Sequence, residues 1–299
     1  MIVVDYSQVL LASVFVFADD FKKGKDPDKM KGILRHTLLS SLLVYKREYG
    51  KKYGEIVIAC DGREYWRKKY FPLYKANRKK GREESDMDWD SIFAHLADMR
   101  QELIDYFPWK VIHLPEAEGD DIMAVLAKYC VENHTTQDGL FEDVEPVLLI
   151  SSDGDMRQCH SKYVRQWSPM QKKFVAPPEK DFLVEKIIKG DGGDGIASVL
   201  CPDDWFINPE FENVRAKPVT KKVLDKFKAG IGLTEEESAR YMRNKTLIDF
   251  SCIPESVSND IIAAYKKPAP KTDLNKIMNF LMSVRAKQLL ERVQEFKVT

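Results

Sequence analysis

Residues 147–155 read Val-Leu-Leu-Ile-Ser-Ser-Asp-Gly-Asp: four apolar residues, two serines, then two carboxylates around a glycine. A run this short and apolar, closed by turn-forming residues, predicts a strand buried on both faces, as in parallel sheets. The pattern recurs along the first half of the chain. Ile2-Val3-Val4 runs into Asp5, and Ile56-Val57-Ile58-Ala59-Cys60 into Asp61. Val111-Ile112-His113 leads to Glu116 and Glu118, with Asp120 and Asp121 opening the next helix. Between these strands, residues 33–49, 90–106 and 119–132 carry apolar positions at helical spacing, for example Ile122, Val125, Leu126 and Tyr129. Strands alternating with helices predict an α/β fold with a central, mostly parallel sheet flanked by helices.

The strand signal continues into 163–175, expected as two short strands around a Ser168-Pro169 turn. The stretch 135–146 is expected to be an exposed acidic loop. After about residue 182 helical candidates dominate, at 182–189, 219–229, 234–248 and 273–295. A polar loop at 201–218 and KKPAPK at 266–271 interrupt them. The expected organisation is an α/β core over 1–183 and a smaller helical C-terminal part over 184–299.

Composition narrows the classes. The 299 residues are 44% hydrophobic, ordinary for a chain with a substantial core. No apolar run approaches the ~20 residues that span a bilayer, and Asp5 interrupts the N-terminal apolar stretch, so no membrane association and a cytoplasmic location are expected. The five cysteines are scattered, without a C-x-x-C pair or an H-E-x-x-H, which excludes a disulfide framework and a zinc site of those types. The five histidines are separated as well, and no Ser–His or Cys–His pair is apparent.

Net charge is zero, from 47 basic and 47 acidic residues, yet the charge is unevenly placed. Between Arg63 and Arg82 lie nine basic residues against the single acid Glu64. Tyr70, Phe71 and Tyr74 interleave with them. Aromatic rings among cations suit unpaired bases and phosphates, whereas a purely solvated helix face has no need of the rings. If the strip is helical, Lys75 and Arg78 fall on one face, where they could neutralise a phosphate in the transition state.

A parallel sheet brings the carboxyl ends of its strands to one edge. One Asp after a strand is a common cap; acids after four strands gather negative charge that a cation must offset. Oxygen ligands in this number suit Mg²⁺ or Mn²⁺ rather than zinc. Asp191 and Asp194 in KGDGGDG add two acids in a glycine-rich turn. Two adjacent ions make phosphodiester hydrolysis the natural chemistry.

These segments carry a family resemblance. VVDYSQ (3–8), IACDG (58–62), YKANR (74–78), EAEGDD (116–121), ISSDGD (150–155) and KGDGGD (189–194) resemble, in order and spacing, the motifs of the structure-specific 5′ nucleases, which include flap endonucleases and phage 5′ exonucleases. RQWSPMQKKFV (165–175) and LIDFSCIP (247–254) extend the likeness towards the T-even phage ribonucleases H. The resemblance implies a PIN-like 5′-nuclease core with a helical arch near 65–90, and DNA binding by the part over 184–299. It implies a first metal site of Asp5, Asp61, Glu118 and Asp120, with Asp153 shared or nearby. Asp155, Asp191 and Asp194 would line the second, for two Mg²⁺ ions that Mn²⁺ can replace. Glu116 and Asp121 would hold neighbouring groups. Lys75 and Arg78 would touch the scissile phosphate, Tyr74 would stack on a base, and Lys79, Lys80 and Arg82 would bind nucleic acid.

The implied activity is that of a 5′→3′ exonuclease and flap endonuclease with RNase H activity, acting on branched or nicked DNA and RNA–DNA duplexes as a monomer in the host cytoplasm. A sliding clamp and a single-stranded-DNA-binding protein are candidate partners. Alternatives are a non-catalytic DNA-junction-binding protein and a PIN-like single-strand ribonuclease; the acid set argues against the former and the YKANR strip against the latter. Many members follow the GD-x-x-D turn with N-I-P-G. Here Gly195-Ile196-Ala197 follows instead, so K⁺ dependence of that element is not implied.

Overall fold

The computed structural model describes residues 1–133, 135–138, 141–271 and 273–297, with backbone only over 135–138 and 141–143. In chain order the elements begin β1 (Ile2–Asp5), α1 (Tyr6–Val16), α2 (Pro27–Tyr53), β2 (Ile56–Cys60), α3 (Trp66–Tyr70), α4 (Asn77–Glu83) and α5 (Trp89–Tyr106). They continue with β3 (Lys110–His113), α6 (Gly119–Asn133), β4 (Thr135–Asp138), β5 (Phe141–Val144), β6 (Val147–Ile150), β7 (Val164–Ser168), β8 (Lys173–Phe174) and α7 (Phe182–Lys189). The chain ends with α8 (Lys221–Ala229), α9 (Glu235–Ile248), α10 (Glu255–Lys266), α11 (Leu274–Ser283) and α12 (Lys287–Leu290). No helix among the described residues is long and apolar enough to cross a membrane.

The chain forms two compact units. The first comprises Met1–Arg63, Asp86–Ala176 and Ser256–Thr299; the second comprises Glu64–Ser85 and Pro177–Glu255. This differs from a single cut near residue 183. The last 44 residues join the α/β unit because their apolar side chains complete its core: Ile277, Phe280, Leu281, Leu289 and Phe296 are all buried there. Phe107 meets Phe280 edge-on at 5.8 Å and Phe296 at 5.2 Å. Core packing therefore accounts for 273–296, and the expected continuous helix is broken into α11, α12 and a final 3-10 turn.

In the first unit six strands run in the order β3-β2-β1-β6-β7-β8. All neighbours are parallel except β7 and β8. β1, β2 and β6 are buried along their whole length, as strands covered on both faces must be. The chain builds outward from β1 to β2 and β3 on one side, then returns to β6 on the other, so the strand order reverses between β1 and β6. Such a switch point leaves a crevice at the carboxyl ends of the strands. The segment 135–146, expected as a loop, instead contains the antiparallel hairpin β4–β5; residues 139 and 140 lie outside the described residues.

The second unit is helical. α7, α8 and α9 enclose an apolar cluster of Ile188, Val199 and Phe227. A neighbouring cluster joins Phe71 and Tyr74 to Ile187, Ile196, Leu247 and Ile248. A reciprocal capping box of Thr234 and Glu237 starts α9. Gly230 and Gly232, both at positive φ, make the reversal from α8 into it.

Candidate active site

Asp5 sits at the switch point. It ends β1 and caps α1, its Oδ1 accepting from the Gln8 backbone N–H at 2.9 Å and its Oδ2 from the Ser151 hydroxyl at 3.2 Å. The residue is only 9% exposed. Burial first, then the neighbouring Asp61 carboxylate, push its pKa up to about 7, with Asp153 adding to the effect against the two hydrogen bonds.

Asp61 follows β2. Its Oδ2 accepts from the Ser7 hydroxyl at 2.5 Å and its Oδ1 from the Gly119 N–H at 2.7 Å, so it holds the first residue of α6. Asp153 follows β6 and accepts from the Asp155 N–H at 2.8 Å. Gln166 on β7 fastens this loop by donating from Nε2 to the Ser151 carbonyl at 2.9 Å and the Asp153 carbonyl at 2.7 Å. Asp120 and Asp155 both act on the Cys159 thiol, which burial chiefly, and then these two negative charges, raise to about 12. Glu118 is buried at 3% exposure.

The two acids expected to hold neighbouring groups differ in setting. Asp121 is fully buried and accepts the Glu118 N–H at 3.0 Å, a helix-capping contact. Glu116 is exposed on the preceding turn. The His113 pKa is lowered mainly by burial and further by Arg100 and Arg63, against Asp61.

As the side chains stand, no three His, Cys, Asp or Glu residues among the described residues converge tightly enough to ligate one ion. Asp61 and Asp153 are instead turned to hydrogen-bond donors. The donor chemistry nevertheless fits a hard divalent cation: a carboxylate raised by burial first, and then by its carboxylate neighbours, is stabilised when positive charge enters, and the set is all oxygen.

Gly62, the last residue of IACDG, meets a steric requirement that the sequence alone does not reveal. A Cβ there would lie 2.2 Å from the Leu114 carbonyl oxygen and 2.3 Å from that of Pro115. Its N–H donates to the Ala117 carbonyl at 2.7 Å, so the loop bearing Glu116 and Glu118 is pressed against the end of β2. Gly62→Ala must push two stretches of backbone apart and is expected to cost about 2–4 kcal/mol, read as a lower urea midpoint with an unchanged slope.

The remaining predicted residues lie in the second unit. Asp191 caps the turn 192–194, accepting the Gly193 N–H at 2.9 Å, and pairs with Lys186 at 2.9 Å. Burial works to raise its pKa, but Lys186 and the backbone donors outweigh it and leave the carboxyl below its ordinary value. Asp194 is engaged by the YKANR segment. Tyr74 Oη donates to its Oδ2 at 2.8 Å, Arg78 Nη2 to its Oδ1 at 2.6 Å, and Lys75 Nζ lies 3.7 Å from Oδ1.

Two expectations for this strip are corrected. Lys75 and Arg78 do not share a helix face: α4 starts only at Asn77, and Lys75 precedes it in a turn at φ 58°. The Lys75 N–H donates to the Asp194 carbonyl at 2.8 Å, fixing that left-handed conformation. Tyr74 does not offer a face for stacking either. Its ring is 3% exposed and packs edge-on against Tyr65 at 5.9 Å, whereas Tyr70 is 52% exposed. Lys79 and Lys80 stand on the exposed side of α4, Lys79 near Glu83 at 3.7 Å and Lys80 paired with Glu212; Arg82 is exposed in the same turn.

Two supports of the acidic turn are assigned no role from the sequence. Asn77 Nδ2 donates to the Gly192 carbonyl at 2.8 Å. Asn244 donates to the carbonyls of Ile187 and Ala197, both at 2.9 Å, from within a buried polar knot completed by Arg243.

Acids at the carboxyl ends of parallel strands, beside a switch point, are the framework that a metal-assisted hydrolase requires. Comparison with known proteins makes the class specific. Residues 1–187 match the family model of the 5′-3′ exonuclease N-terminal resolvase-like domain, and residues 176–296 that of the T4 RNase H C-terminal domain. The ribonuclease H of Enterobacteria phage T4 is 35% identical over 312 residues, covering 98% of this chain and 94% of the phage protein. Among solved structures, the zinc-bound 5′-exonuclease of T5 aligns with a TM-score of 0.58 at 18% identity, over 96% of this chain and 98% of that one. A bacteriophage T5 flap endonuclease, in complex with DNA and metal ions, aligns with a TM-score of 0.55 at 19% identity, over 95% and 98%. The chain belongs to the 5′-3′ exonuclease family, and it is a nuclease.

Proposed function

We propose that this nuclease is Mg²⁺-dependent and acts from 5′ ends, as an exonuclease and flap endonuclease with RNase H activity that removes RNA primers and adjacent DNA from lagging-strand fragments. The observation that supports the reading most directly is Asp5, buried at the strand switch with the carboxylates of Asp61 and Asp153 acting on it. Asp5, Asp61, Glu118 and Asp120 are the ligands proposed for the first ion, with Asp153 shared or nearby. Asp155, Asp191 and Asp194 keep the role of second-ion ligands on the family resemblance. Bound divalent ions supply the acidity that activates water and the positive charge that steadies the leaving oxygen.

The chain's own residues do the rest. The Ser7 hydroxyl and Gly119 N–H hold the two oxygens of Asp61, and the Gln8 N–H and Ser151 hydroxyl hold those of Asp5. Lys75 and Arg78 are proposed to bind the scissile phosphate and to neutralise the charge it gains. Lys79, Lys80 and Arg82 hold more distant phosphates, as exposed cations on a short helix can. The substrates proposed are nicked or branched DNA and RNA–DNA duplexes, bound by a monomer. A clamp and a single-stranded-DNA-binding protein remain proposed partners without an assigned surface.

The test is a product-length assay on 5′-labelled flap, nicked and RNA-primed duplexes, with EDTA, Mg²⁺ or Mn²⁺. Short products from 5′ ends, formed only with a divalent ion and faster on forked duplexes than on free single strands, are the expected result. Tight flap binding without turnover in either metal would leave only a binding role. Preferential cutting of free single-stranded RNA would move the protein to a different substrate class.

A further inference from the structure

We propose that the Asp194 carboxylate is an internal stand-in for the substrate phosphate, occupying the Tyr74–Lys75–Arg78 receptor until nucleic acid displaces it. The inference deepens the reading of Lys75 and Arg78 as phosphate ligands and rests on it. Each oxygen of Asp194 has its own donor: Oδ2 takes the Tyr74 hydroxyl at 2.8 Å, and Oδ1 takes Arg78 Nη2 at 2.6 Å with Lys75 Nζ at 3.7 Å. A hydroxyl, a guanidinium and an ammonium around a two-oxygen anion form a site that would serve a phosphate equally well.

Backbone carbonyls hold Arg78 and the segment bearing Lys75 in place independently of that carboxylate. Arg78 Nε donates to the Gly193 carbonyl at 2.9 Å, Asn77 Nδ2 to that of Gly192 at 2.8 Å, and the Lys75 N–H to that of Asp194 at 2.8 Å. The segments approach so closely that a Cβ on Gly195, itself at φ +69°, would lie 3.0 Å from Asn77 Oδ1 and 3.3 Å from the Leu73 carbonyl. Displacing the Asp194 side chain therefore leaves Arg78 and the 75–77 backbone anchored to the turn. Asp191, three residues earlier, is not engaged in this way, because its carboxylate pairs with Lys186. The two acids differ in partner although they share one turn.

A ligand that must displace an internal competitor binds more weakly by the fraction of receptor left open. Phosphate entry would thus free Asp194 at the moment substrate arrives, leaving it available for other work.

The test uses the full chain in EDTA and a fluorescent, 5′-phosphorylated single-stranded DNA oligonucleotide, with affinity read by anisotropy. Asp194→Asn is expected to bind about 10-fold tighter than the parent, since one charge-assisted contact is worth about that much. Asp191→Asn removes the same formal charge from the same turn and is expected to change affinity less than about 3-fold. Adding Arg78→Ala should erase the gain. Asp194→Ser serves as a second variant with the same expectation should the asparagine protein fold poorly. Equal tightening by both Asn variants would reduce the effect to general charge, and no tightening by Asp194→Asn or Asp194→Ser would overturn the stand-in; with Arg78→Ala still weakening the parent, the phosphate-ligand reading survives either result. If Arg78→Ala leaves parental binding unchanged, both fall together.

Discussion

Asp5→Asn is expected to eliminate divalent-ion-dependent cleavage, by a factor on the order of 10³ or more, while making the metal-free protein more stable. The first half follows from position. Asp5 is a buried proposed ligand at the strand switch, and loss of several kcal/mol of charge stabilisation in the transition state corresponds to at least that factor. The second half follows from burial. In the folded, metal-free protein the Asp5 carboxyl ionises only near pH 7, because burial and then Asp61 oppose its charge, whereas an unfolded aspartate ionises near 3.8. A group whose folded pKa is raised loses stability as pH climbs between those two values, so the parent in EDTA should melt lower at pH 8 than at pH 5. Asparagine keeps an oxygen for the Gln8 N–H but carries no charge. The variant should therefore show a flatter pH dependence and, at pH 8 in EDTA, a melting temperature a few degrees higher, for a gain of about 2–4 kcal/mol. Mg²⁺ should raise the melting temperature of the parent far more than that of the variant. A variant that melts lower than the parent in EDTA at pH 8 would show that Asp5 serves the fold rather than the cation.

Asp5, Asp61 and Asp153 were legible because a buried parallel strand is a short, unmistakable apolar run and the first residues after it are forced to the sheet's carboxyl edge. Contacts made across long stretches of chain left no such mark. Nothing local in YKANR indicates that Tyr74, Lys75 and Arg78 meet Asp194, 116 to 120 residues later. Nor does the periodicity of 273–295 show that Phe280 and Phe296 return to Phe107 in the first unit. Lys75 misled the helical reading for a related reason: lysine is a good helix former, and only the tertiary bond from its N–H to Asp194 selects the left-handed conformation. Gly62 was silent because a glycine after a strand has many ordinary uses, and its purpose lies in carbonyls more than fifty residues away.

Lys75 also gives the second large effect, and its backbone allows charge and strain to be separated. Lys75→Ala is expected to lower kcat by about 10²–10³ with KM changed only a few-fold, because a cation at the scissile phosphate matters most when charge develops in the transition state. A rise in KM at constant kcat would instead mark a plain phosphate anchor. Alanine at φ 58° keeps the steric cost of a left-handed residue, about 1 kcal/mol, while glycine does not. Lys75→Gly should therefore lose as much activity as Lys75→Ala yet unfold at a higher urea concentration than that variant. Lys75→Arg, which restores the charge on a longer and differently shaped head group, should recover only part of kcat. If the glycine variant were markedly more active than the alanine variant, the strained turn rather than the ammonium would be what the reaction needs. The expectation is the reverse, since the Lys75 N–H that fixes the turn to the Asp194 carbonyl survives in all three substitutions and only the ammonium is changed.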